Sequence, residues 1–307
     1  MKKIATGARP WLAYHPGELS VQRRAGVARG LAAGAMYRTA LPPGLRQFLA
    51  RQQLAILASV DSAGRLWASL RSGAPGFISA VDERTLRIAG HGHRDDPLLA
   101  NLRADDRLGA LVIDLAARSR LRVNGAAVLE TDGAVRLALQ QVYGNCQNYI
   151  QARTIVGTRA GEARAARRFE YLDRRLQSRI AGADTFFIAT AHADAGADVS
   201  HRGGAPGFVR VESARRLIFP DYRGNRMFNT LGNIECDRRA GLLFPDFAGG
   251  DALQLTGAAE ILWDDPRLIE FPGAERLVGF DIEAGVELSG ATELRFQCAG
   301  YSPDLPR

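Results

Sequence analysis

The chain has 307 residues, of which 46% are hydrophobic and 24% charged, a balance typical of a globular protein with room for two domains. No apolar run approaches the roughly 20 residues of a membrane helix, and the start, MKKIATGARPWL, lacks the apolar core of a signal peptide. Three scattered cysteines are too few for a disulfide framework or a zinc site. We therefore expect a cytoplasmic protein without a membrane partner or a bound metal.

Helices are the first elements predicted along the chain. One is expected over Glu18–Ala33 and a second, short one over Leu45–Gln52, with prolines at 42 and 43 between them, because proline cannot continue a helix interior. Apolar runs of strand length then alternate with turn signals. These predicted strands are Leu54–Val60, Leu66–Leu70, Phe77–Val81, Leu86–Ala89, Leu108–Asp114 and Leu121–Leu129, and one short helix, Pro97–Leu102, lies among them.

The second half of the chain repeats this order of segments. RSGAPGF at 71–77 returns as RGGAPGF at 202–208, a shift of 131 residues, and LGALVID at 108–114 returns as AGLLFPD at 240–246, a shift of 132. Two further pairs, LAS with IAT and NGAA with TGAA, keep the same order and spacing. A shift constant within one residue indicates a duplicated domain rather than a solenoid, whose periods are shorter. Short strands with frequent turns favour a small antiparallel barrel or sandwich for each copy.

Between the copies, a helical linker is expected over 131–180. It carries the polar and aromatic run YGNCQNYI, which we interpret as a loop that packs two tyrosines. Cys146 could instead be a reactive thiol, although no histidine or basic group adjoins it in sequence. Arg164–Ile180 is predicted as a helix whose arginines form a solvated face. The net charge of +7 would by itself also fit a nucleic-acid or phosphate ligand.

The stretch FPDYRGNRMFNTLGN in the second copy concentrates polar groups after an apolar, strand-like run. Its two arginines, Arg223 and Arg226, together with the backbone amides of the bend, suit the oxygens of a phosphate. Asn229 and Thr230 can add donors from the first turn of a following helix, where free N–H groups favour anions. The alternative is a solvated polar turn that caps this helix.

The repeated units resemble the pyridoxamine 5′-phosphate oxidase-like family of FMN-binding split barrels, and within it a branch with two units in one chain. The resemblance rests on DVSHRGGAPGF at 198–208 and on the pattern DYRGN…MFNTLGN, and it covers roughly residues 45–265. It implies FMN as the cofactor, with the phosphate held by a strand and by the basic turn after the next strand. The cofactor-binding residues that it implies are Arg202, Val209, Arg210, Val211, Asp221, Arg223, Asn225, Arg226, Asn229 and Thr230.

The fold that the resemblance implies is mainly β with flanking helices, an α+β protein in which two tandem split barrels pack as an intrachain pseudo-dimer. The expected parts are an N-terminal helical extension (1–45), a first split-barrel repeat (46–130), the helical linker (131–180), a second repeat with the main FMN phosphate site (181–265) and a C-terminal extension (266–307). In place of the Ser-Arg-Lys of the oxidase itself, the chain has Asn225 and Arg226 followed by Met227. Oxidation of vitamin B6 is therefore not expected.

The first copy matches the family pattern less well than the second. Where the second copy has DYRGNR, the first has GHGHRD at 90–95, with one arginine and an aspartate that would repel phosphate. His91 and His93 are expected to point the same way, but two histidines without a third ligand do not make a metal site. His201, just before Arg202, is a candidate that either caps its strand or donates to flavin or substrate. We expect one groove to bind FMN well and the other poorly or not at all.

The function implied by the resemblance is that of an FMN-dependent oxidoreductase with a small-molecule substrate and NADH, NADPH or an electron carrier as partner. No acid–base pair or nucleophile is legible, as expected where a flavin carries the redox chemistry. Two alternatives stay open: a non-enzymatic flavin or haem binder on the same fold, and a nucleic-acid-binding protein. Whole chains could pair further as a homodimer.

Overall fold

Short antiparallel strands form most of the structure. In the computed structural model, the described residues are 14–27, 37–159 and 165–306. The strands in chain order are β1 (Leu54–Val60), β2 (Leu66–Ser72), β3 (Ile78–Ala80), β4 (Thr85–Ile88), β5 (Arg107–Asp114), β6 (Ser119–Leu129), β7 (Val135–Gly144), β8 (Ala152–Thr158), β9 (Arg167–Phe169), β10 (Thr185–His192), β11 (Gly196–Gly203), β12 (Arg210–Ser213), β13 (Arg216–Tyr222), β14 (Arg239–Pro245), β15 (Ala252–Leu262), β16 (Ala274–Leu288) and β17 (Leu294–Gly300). The helices are α1 (Pro16–Arg24), α2 (Pro43–Arg51), α3 (Leu98–Ala104), α4 (Arg174–Ala181) and α5 (Asn229–Cys236), and a 3₁₀ helix spans Pro266–Glu270.

Two large sheets share one topology. The first has the order β2-β1-β5-β6-β7-β4-β3 and the second the order β11-β10-β14-β15-β16-β13-β12. Every strand of the first sheet therefore has a counterpart at the same place in the second. The duplication predicted from the sequence is confirmed, and so is the mainly β fold with flanking helices.

Strands β1 and β10 show how each unit builds a core on both of its faces. All residues of both strands are buried. Leu57 of β1 points into the core of its own unit, whereas its neighbour Ile56 lies in a cluster shared with the second unit. In β10, Phe186 faces inward and Phe187 joins the shared cluster in the same way. Because successive strand side chains point to opposite faces, these uninterrupted apolar strands fit a place where both faces are covered.

Two glycines allow the units to approach until their backbones touch. A Cβ atom on Gly109 of β5 would lie 2.7 Å from the carbonyl oxygen of Ala197 in β11. Gly241 holds the equivalent place in β14, and a Cβ atom there would lie 2.5 Å from the carbonyl oxygen of Leu66 in β2. One contact made twice, with the roles of the units exchanged, is the mark of a two-fold arrangement. The two barrels thus pack as a pseudo-dimer within one chain.

Each sheet extends beyond the boundary expected from the sequence. Strand β7 lies inside the expected linker, yet it pairs with β6 and β4. Strand β16 lies inside the expected C-terminal extension, yet it pairs with β15 and β13. The first sheet consequently reaches Gly144 and the second Leu288. The alternating burial of β7, along VRLALQQVYG, is a strand signal that the linker prediction overlooked.

Two helices are shorter than predicted. Helix α1 ends at Arg24, and residues 28–36, which include the last part of the predicted helix, lie outside the described residues. The helix expected over 164–180 is reduced to α4, because the side chain of Asp173 caps it by accepting the N–H of Leu176 at 2.8 Å. Ahead of this cap, β9 pairs with β16 instead.

After each barrel the chain continues into a strand of a separate ribbon. Strand β8 follows the first unit, β17 follows the second, and the two pair with each other antiparallel. The loop before β8 lines one groove between the units, and Thr292, before β17, lies in the other. Among the described residues, no helix combines the length and the apolarity of a membrane span.

Candidate functional site

A cavity lies between the units, where β6 of the first unit meets β11 and β13 of the second. We call this place the second groove, because the second repeat supplies its basic turn. The loop that follows β7 covers one side of it. The lining residues are Arg120, Arg122, Asn145, Cys146, Asn148, Tyr149, His201, Arg202, Gly203, Phe208, Pro220, Tyr222, Gly224 and Asn225.

Arg122 forms the back of the second groove and is held across the interface of the units. Its Nη1 donates to Oδ2 of Asp198 at 2.7 Å, and its Nη2 donates to Oγ of Ser200 at 2.6 Å. Both side chains of the ion pair are 7% exposed. Burial acts to lower the pKa of Arg122, but the Asp198 carboxylate outweighs it and raises the pKa. Arg122 is therefore a fixed cation whose charge is already paired.

Arg120 and Arg202 are two further cations of the second groove. The Nε of each has no hydrogen-bond partner among the described residues, and the nearest acid to Arg202 is Asp221, at 3.7 Å. Burial, followed by the charges of Arg122 and Arg202, lowers the pKa of Arg120 to about 9. Burial also lowers the pKa of Arg202. Both groups would gain from an anion in the cavity, since an unpaired buried charge is costly.

Asp221, one of the expected cofactor residues, is occupied by another arginine. Arg276 of β16 donates from Nη1 to Oδ2 of Asp221 at 2.5 Å. Burial raises the pKa of Asp221, against the opposing effect of Arg202 and Arg276. The carboxyl group of Asp221 thus interacts with two guanidinium groups, those of Arg276 and Arg202.

His201 presents a neutral imidazole to the second groove. The residue is 3% exposed, and neither ring nitrogen has a partner among the described residues. Its ring packs edge to face against Phe187, with 5.6 Å between centroids. Burial, together with the positive charges of Arg120 and Arg202, holds the pKa of His201 well below its ordinary value. The imidazole can therefore offer one donor and one acceptor to a ligand.

The basic turn between β13 and α5 has a strained backbone at two positions. Arg226 and Phe228 adopt φ angles of 60° and 61°, in the left-handed region that non-glycine residues rarely enter. Nε of Arg226 has no partner among the described residues, and Oδ1 of Asn225 accepts the N–H of Met227 at 3.1 Å. The side chain of Arg223 is exposed, while its carbonyl accepts the hydroxyl of Tyr149 at 2.9 Å.

Of the ten expected cofactor residues, all within the described part of the chain, Arg202 and Asn225 line the cavity and the other eight, including Asp221, Arg223 and Arg226, do not. Thr230 shares a hydrogen bond of 2.5 Å with Ser200, and Asn229 donates to Glu18 and to Tyr37, so their polar groups are already used. The residues of the predicted phosphate strand lie elsewhere too. Val209 is in the core of the second unit, Val211 packs against that core, and Arg210 pairs with Glu270 at 2.9 Å.

Several lining residues come from the first unit and were not among the expected site residues. They are Arg120, Arg122, Asn145, Cys146, Asn148 and Tyr149. The last four belong to the polar and aromatic run that was interpreted as a loop packing two tyrosines. Tyr149 does pack, since its ring stacks on Tyr222 with 5.1 Å between centroids. The thiol of Cys146 donates to Oδ1 of Asn148 at 2.6 Å.

The equivalent place on the opposite side of the pseudo-dimer, which we call the first groove, contains an acid that is hydrogen-bonded to the chain itself. Asp96 accepts hydrogen bonds from Ser69 at 2.6 Å and from Gln254 at 2.7 Å. Arg71, the counterpart of Arg202, is 8% exposed and donates to the carbonyl of Gly90 at 3.3 Å. Among these groups, Oε1 of Gln254 has no hydrogen-bond partner within the described residues.

The two histidines of the first copy do not point the same way. His91 is exposed and joins Ser72 in an isolated bridge, whereas the side chain of His93 is fully buried. The alternation expected of a strand does not apply, because β4 ends at Ile88 and neither histidine lies in it. Their relative orientation was therefore predicted wrongly.

One cluster elsewhere brings possible metal ligands together. Donor atoms of His15, His192 and Cys236 lie within 4.8 Å of one another. Nδ1 of His192, however, accepts the N–H groups of Asp194 and Ala195 at 3.2 and 3.3 Å. This places the ring proton on Nε2, and a protonated nitrogen cannot bind a metal. We assign no metal to this cluster.

The sequence matches a family model twice. The model of the pyridoxamine 5′-phosphate oxidase family matches residues 41–170 and again residues 172–298. These two matches cover most of the chain, one for each unit. The chain therefore belongs to the pyridoxamine 5′-phosphate oxidase family and carries two of its units in tandem.

Solved structures of similar fold each align with about two fifths of the chain. HupZ from Group A Streptococcus is 13% identical with a TM-score of 0.33, over 40% of this chain and 98% of its own. A Clostridium acetobutylicum protein related to general stress protein 26 is 13% identical with a TM-score of 0.28, over 42% and 97%. The FAD-binding protein mll6688 from Mesorhizobium loti is 15% identical with a TM-score of 0.28, over 41% and 100%. No curated protein matches the chain.

Proposed function

We propose that this chain is a flavoprotein that binds FMN in the second groove. The observation that supports it most directly is a set of nitrogen atoms at this cavity that lack partners among the described residues. They are Nε of Arg120, Nε of Arg122, Nε of Arg202 and both ring nitrogens of His201. Buried polar groups are costly unless they are hydrogen-bonded. FMN fits such a site, because its phosphate and its ring carbonyls are acceptors.

In this proposal the phosphate is held by the basic turn and by Arg202 of strand β11. Arg202 and Asn225 line the cavity, and Arg226 follows Asn225 in the basic turn without lining it. Nε of Arg202 and Nε of Arg226 have no partner among the described residues. A guanidinium group can meet two phosphate oxygens at once. Arg223, exposed at the edge of the turn, adds positive charge. Asn229 and Thr230 would support the turn rather than contact the ligand.

The bound flavin would supply hydride or electron transfer, and the chain would set its surroundings. Arg120 and Arg122 place positive charge in the cavity, which favours a ligand in a more negative, reduced state. His201, being neutral, can donate one hydrogen bond and accept another. The stacked rings of Tyr149 and Tyr222 shield one side from water. A small-molecule substrate and a nicotinamide or electron-carrier partner complete the proposed oxidoreductase.

The ion pairs of the linker region favour a flavin over a nucleic acid as the ligand. Arg167, Arg175 and Arg179, which belong to the predicted basic helix, all reach the carboxylate of Glu287. Guanidinium groups held by one acid do not form the open row of charges that neutralises a phosphate backbone. In the second groove, in contrast, Nε of Arg120 and Nε of Arg202 have no partner among the described residues.

Titration of the apo-protein with FMN and with riboflavin, followed by calorimetry, tests this proposal. A hydrogen bond to a charged group contributes about 1.5–3 kcal/mol, so riboflavin should bind at least tenfold more weakly. Equal affinities would remove the phosphate from the proposal. A Soret band in the purified protein, in place of a flavin spectrum, would favour the haem alternative. Reduction of the bound flavin by NADH or NADPH would then identify the electron donor.

A further inference from the structure

Helix α1 precedes the residues matched by the family model and packs on α5 beside the second groove. A Cβ atom on Gly17 would lie 2.1 Å from the carbonyl oxygen of Gly232, and a Cβ atom on Gly232 would lie 2.6 Å from Cα of Glu18. The two helices therefore touch backbone to backbone. This contact places Glu18 against α5.

The carboxylate of Glu18 is buried and accepts three hydrogen bonds. Its side chain is 4% exposed. Oε2 accepts the backbone N–H of His15 at 2.8 Å, and Oε1 accepts the hydroxyl of Tyr37 at 3.5 Å and Nδ2 of Asn229. Because three donors converge on this buried position, it suits a side chain that only accepts hydrogen bonds.

Asn229 connects Glu18 with Arg122 of the second groove. While its Nδ2 donates to Glu18, its Oδ1 accepts Nη1 of Arg122 at 3.5 Å. A carboxylate can only accept, so it fixes the direction of the amide, with nitrogen toward Glu18 and oxygen toward Arg122. A protonated carboxyl also carries a donor and no longer imposes that direction.

We propose that Glu18 is a positioning residue of the second groove: its carboxylate orients the amide of Asn229, and that amide orients Arg122. A proton on Glu18 releases the amide, and Arg122 then keeps its bonds to Asp198 and Ser200 and a longer one, of 3.3 Å, to the hydroxyl of Tyr143. The consequence for a ligand rests on the proposed function, because it assumes that FMN binds in this groove.

The surroundings of Glu18 make this proton available near neutral pH. Burial raises the pKa of Glu18 to about 7, the hydrogen bonds from His15 and Asn229 oppose the rise, and the charge of Asp198 adds to it. Arg122, a cation of this region, is already paired with Asp198. The titratable and charged groups that face Glu18 from the elements around it are Tyr14, His15, Tyr37, Arg122, Tyr143, His192, Asp198 and Cys236.

The titration of Glu18 should change the free energy of unfolding with pH in a defined direction. The folded pKa of about 7 exceeds the ordinary value of 4.5, so the folded state holds more protons between these two pH values. Stability from Glu18 is therefore lost as pH rises from about 4.5 to about 7 and is constant above that range. Glu18→Gln should remove this slope from urea unfolding curves. Glu235→Gln is the matched control, because this exposed carboxylate lies on α5 opposite Ser20 of α1.

Nuclear magnetic resonance of the apo-protein tests the positioning role directly. The side-chain amide of Asn229 and the Nε–H of Arg122 should shift with one common pKa near 7 in the wild type and in Glu235→Gln. Both shifts should be absent in Glu18→Gln. An Arg122 signal that does not follow the titration of Glu18 would overturn the proposal, whether or not FMN binds.

The dissociation constant of FMN between pH 5.5 and 8.5 tests the consequence for the ligand. At pH 8, Glu18→Gln should bind FMN about tenfold more weakly than the wild type, the equivalent of one weakened charge-assisted bond. The difference should shrink toward pH 5.5, where the wild type is protonated as well. Equal affinity at every pH would leave Glu18 as an anchor of α1 only and overturn its effect on the ligand. A wild type that binds no FMN contradicts the proposed function, and the resonance experiment still decides the role of Glu18.

Discussion

The two grooves of the pseudo-dimer are formed by equivalent strands, but the side chains at equivalent positions differ in charge. Position by position, Arg120 and Arg122 of the second groove correspond to Ala252 and Gln254 of the first. The first groove holds Asp96, hydrogen-bonded to Ser69 and Gln254, whereas the second holds three arginines, of which Arg122 is paired with Asp198 and all three have an Nε without a partner among the described residues. The fold alone therefore does not make the site, which depends on the charges placed at a few equivalent positions.

This difference depends on the fusion of the units. In a symmetric dimer of single barrels, each substitution appears in both grooves, so neither can change alone. In the fused chain the two copies can diverge separately. One groove holds Asp96, which accepts hydrogen bonds from the chain itself, and the other presents nitrogen atoms without partners among the described residues.

The largest effect on FMN affinity is expected from the arginine at equivalent positions of the two grooves, which is Arg202 in the second and Arg71 in the first. Arg202→Ala should weaken FMN binding about a hundredfold, because Arg202 would contribute about two charge-assisted hydrogen bonds. Arg71→Ala, the counterpart in the first groove, should leave the affinity within twofold. Calorimetric titration of both variants with FMN measures this contrast.

The number of flavins per chain is the control for this contrast. Heat-released flavin should approach one molecule per chain in the wild type and in Arg71→Ala. A reproducible ratio near two would mean that the first groove also binds FMN, and the comparison of the grooves would then be mistaken.

A smaller effect is expected from the arginines of the two turns. Arg226→Ala removes a guanidinium group whose Nε has no partner among the described residues, and it should weaken FMN binding about tenfold, the loss of roughly one charged hydrogen bond. Arg94→Ala should change nothing, because the Arg94 side chain is 69% exposed. If Arg94→Ala releases the flavin while Arg226→Ala keeps it, the ligand lies in the first groove.

The smallest difference between the copies is expected at the interface glycines. Gly109→Ala and Gly241→Ala each force a methyl group against the backbone of the other unit. Each should lower the free energy of unfolding by about 1–3 kcal/mol, as overpacking does. Urea unfolding should give similar losses for both. A large loss for one variant alone would show that the two equivalent contacts differ in how well they accommodate a methyl group.

The duplication made the fold predictable, because motifs that recur with a constant shift define the unit and its strands. It did not predict the ends of the units. The recurring motifs of the sequence do not include strands β7 and β16, so the predicted repeat did not extend to them. For the site, Arg202, His201 and Asn225 follow from their motif and line the cavity. Arg120 and Arg122 enter it across the interface, and no local pattern encodes how two units dock.

Asn229 and Thr230 illustrate a second limit of the sequence. The sequence places them correctly at the start of a helix, next to the basic turn. Whether a helix-start side chain faces a ligand or the interior depends on its neighbours. Here Glu18 and Ser200, far away in sequence, already take their polar groups. A local rule for anion sites cannot include such distant partners.

The shared apolar cluster between the units has a consequence for the protein at low concentration. When two chains must meet to build a binding site, the fraction of intact sites falls on dilution, since assembly is coupled to protomer concentration. Here the second half is always tethered to the first, so the interface forms at an effective concentration set by the connecting segment. The number of complete grooves per chain is thus independent of how much protein a cell contains.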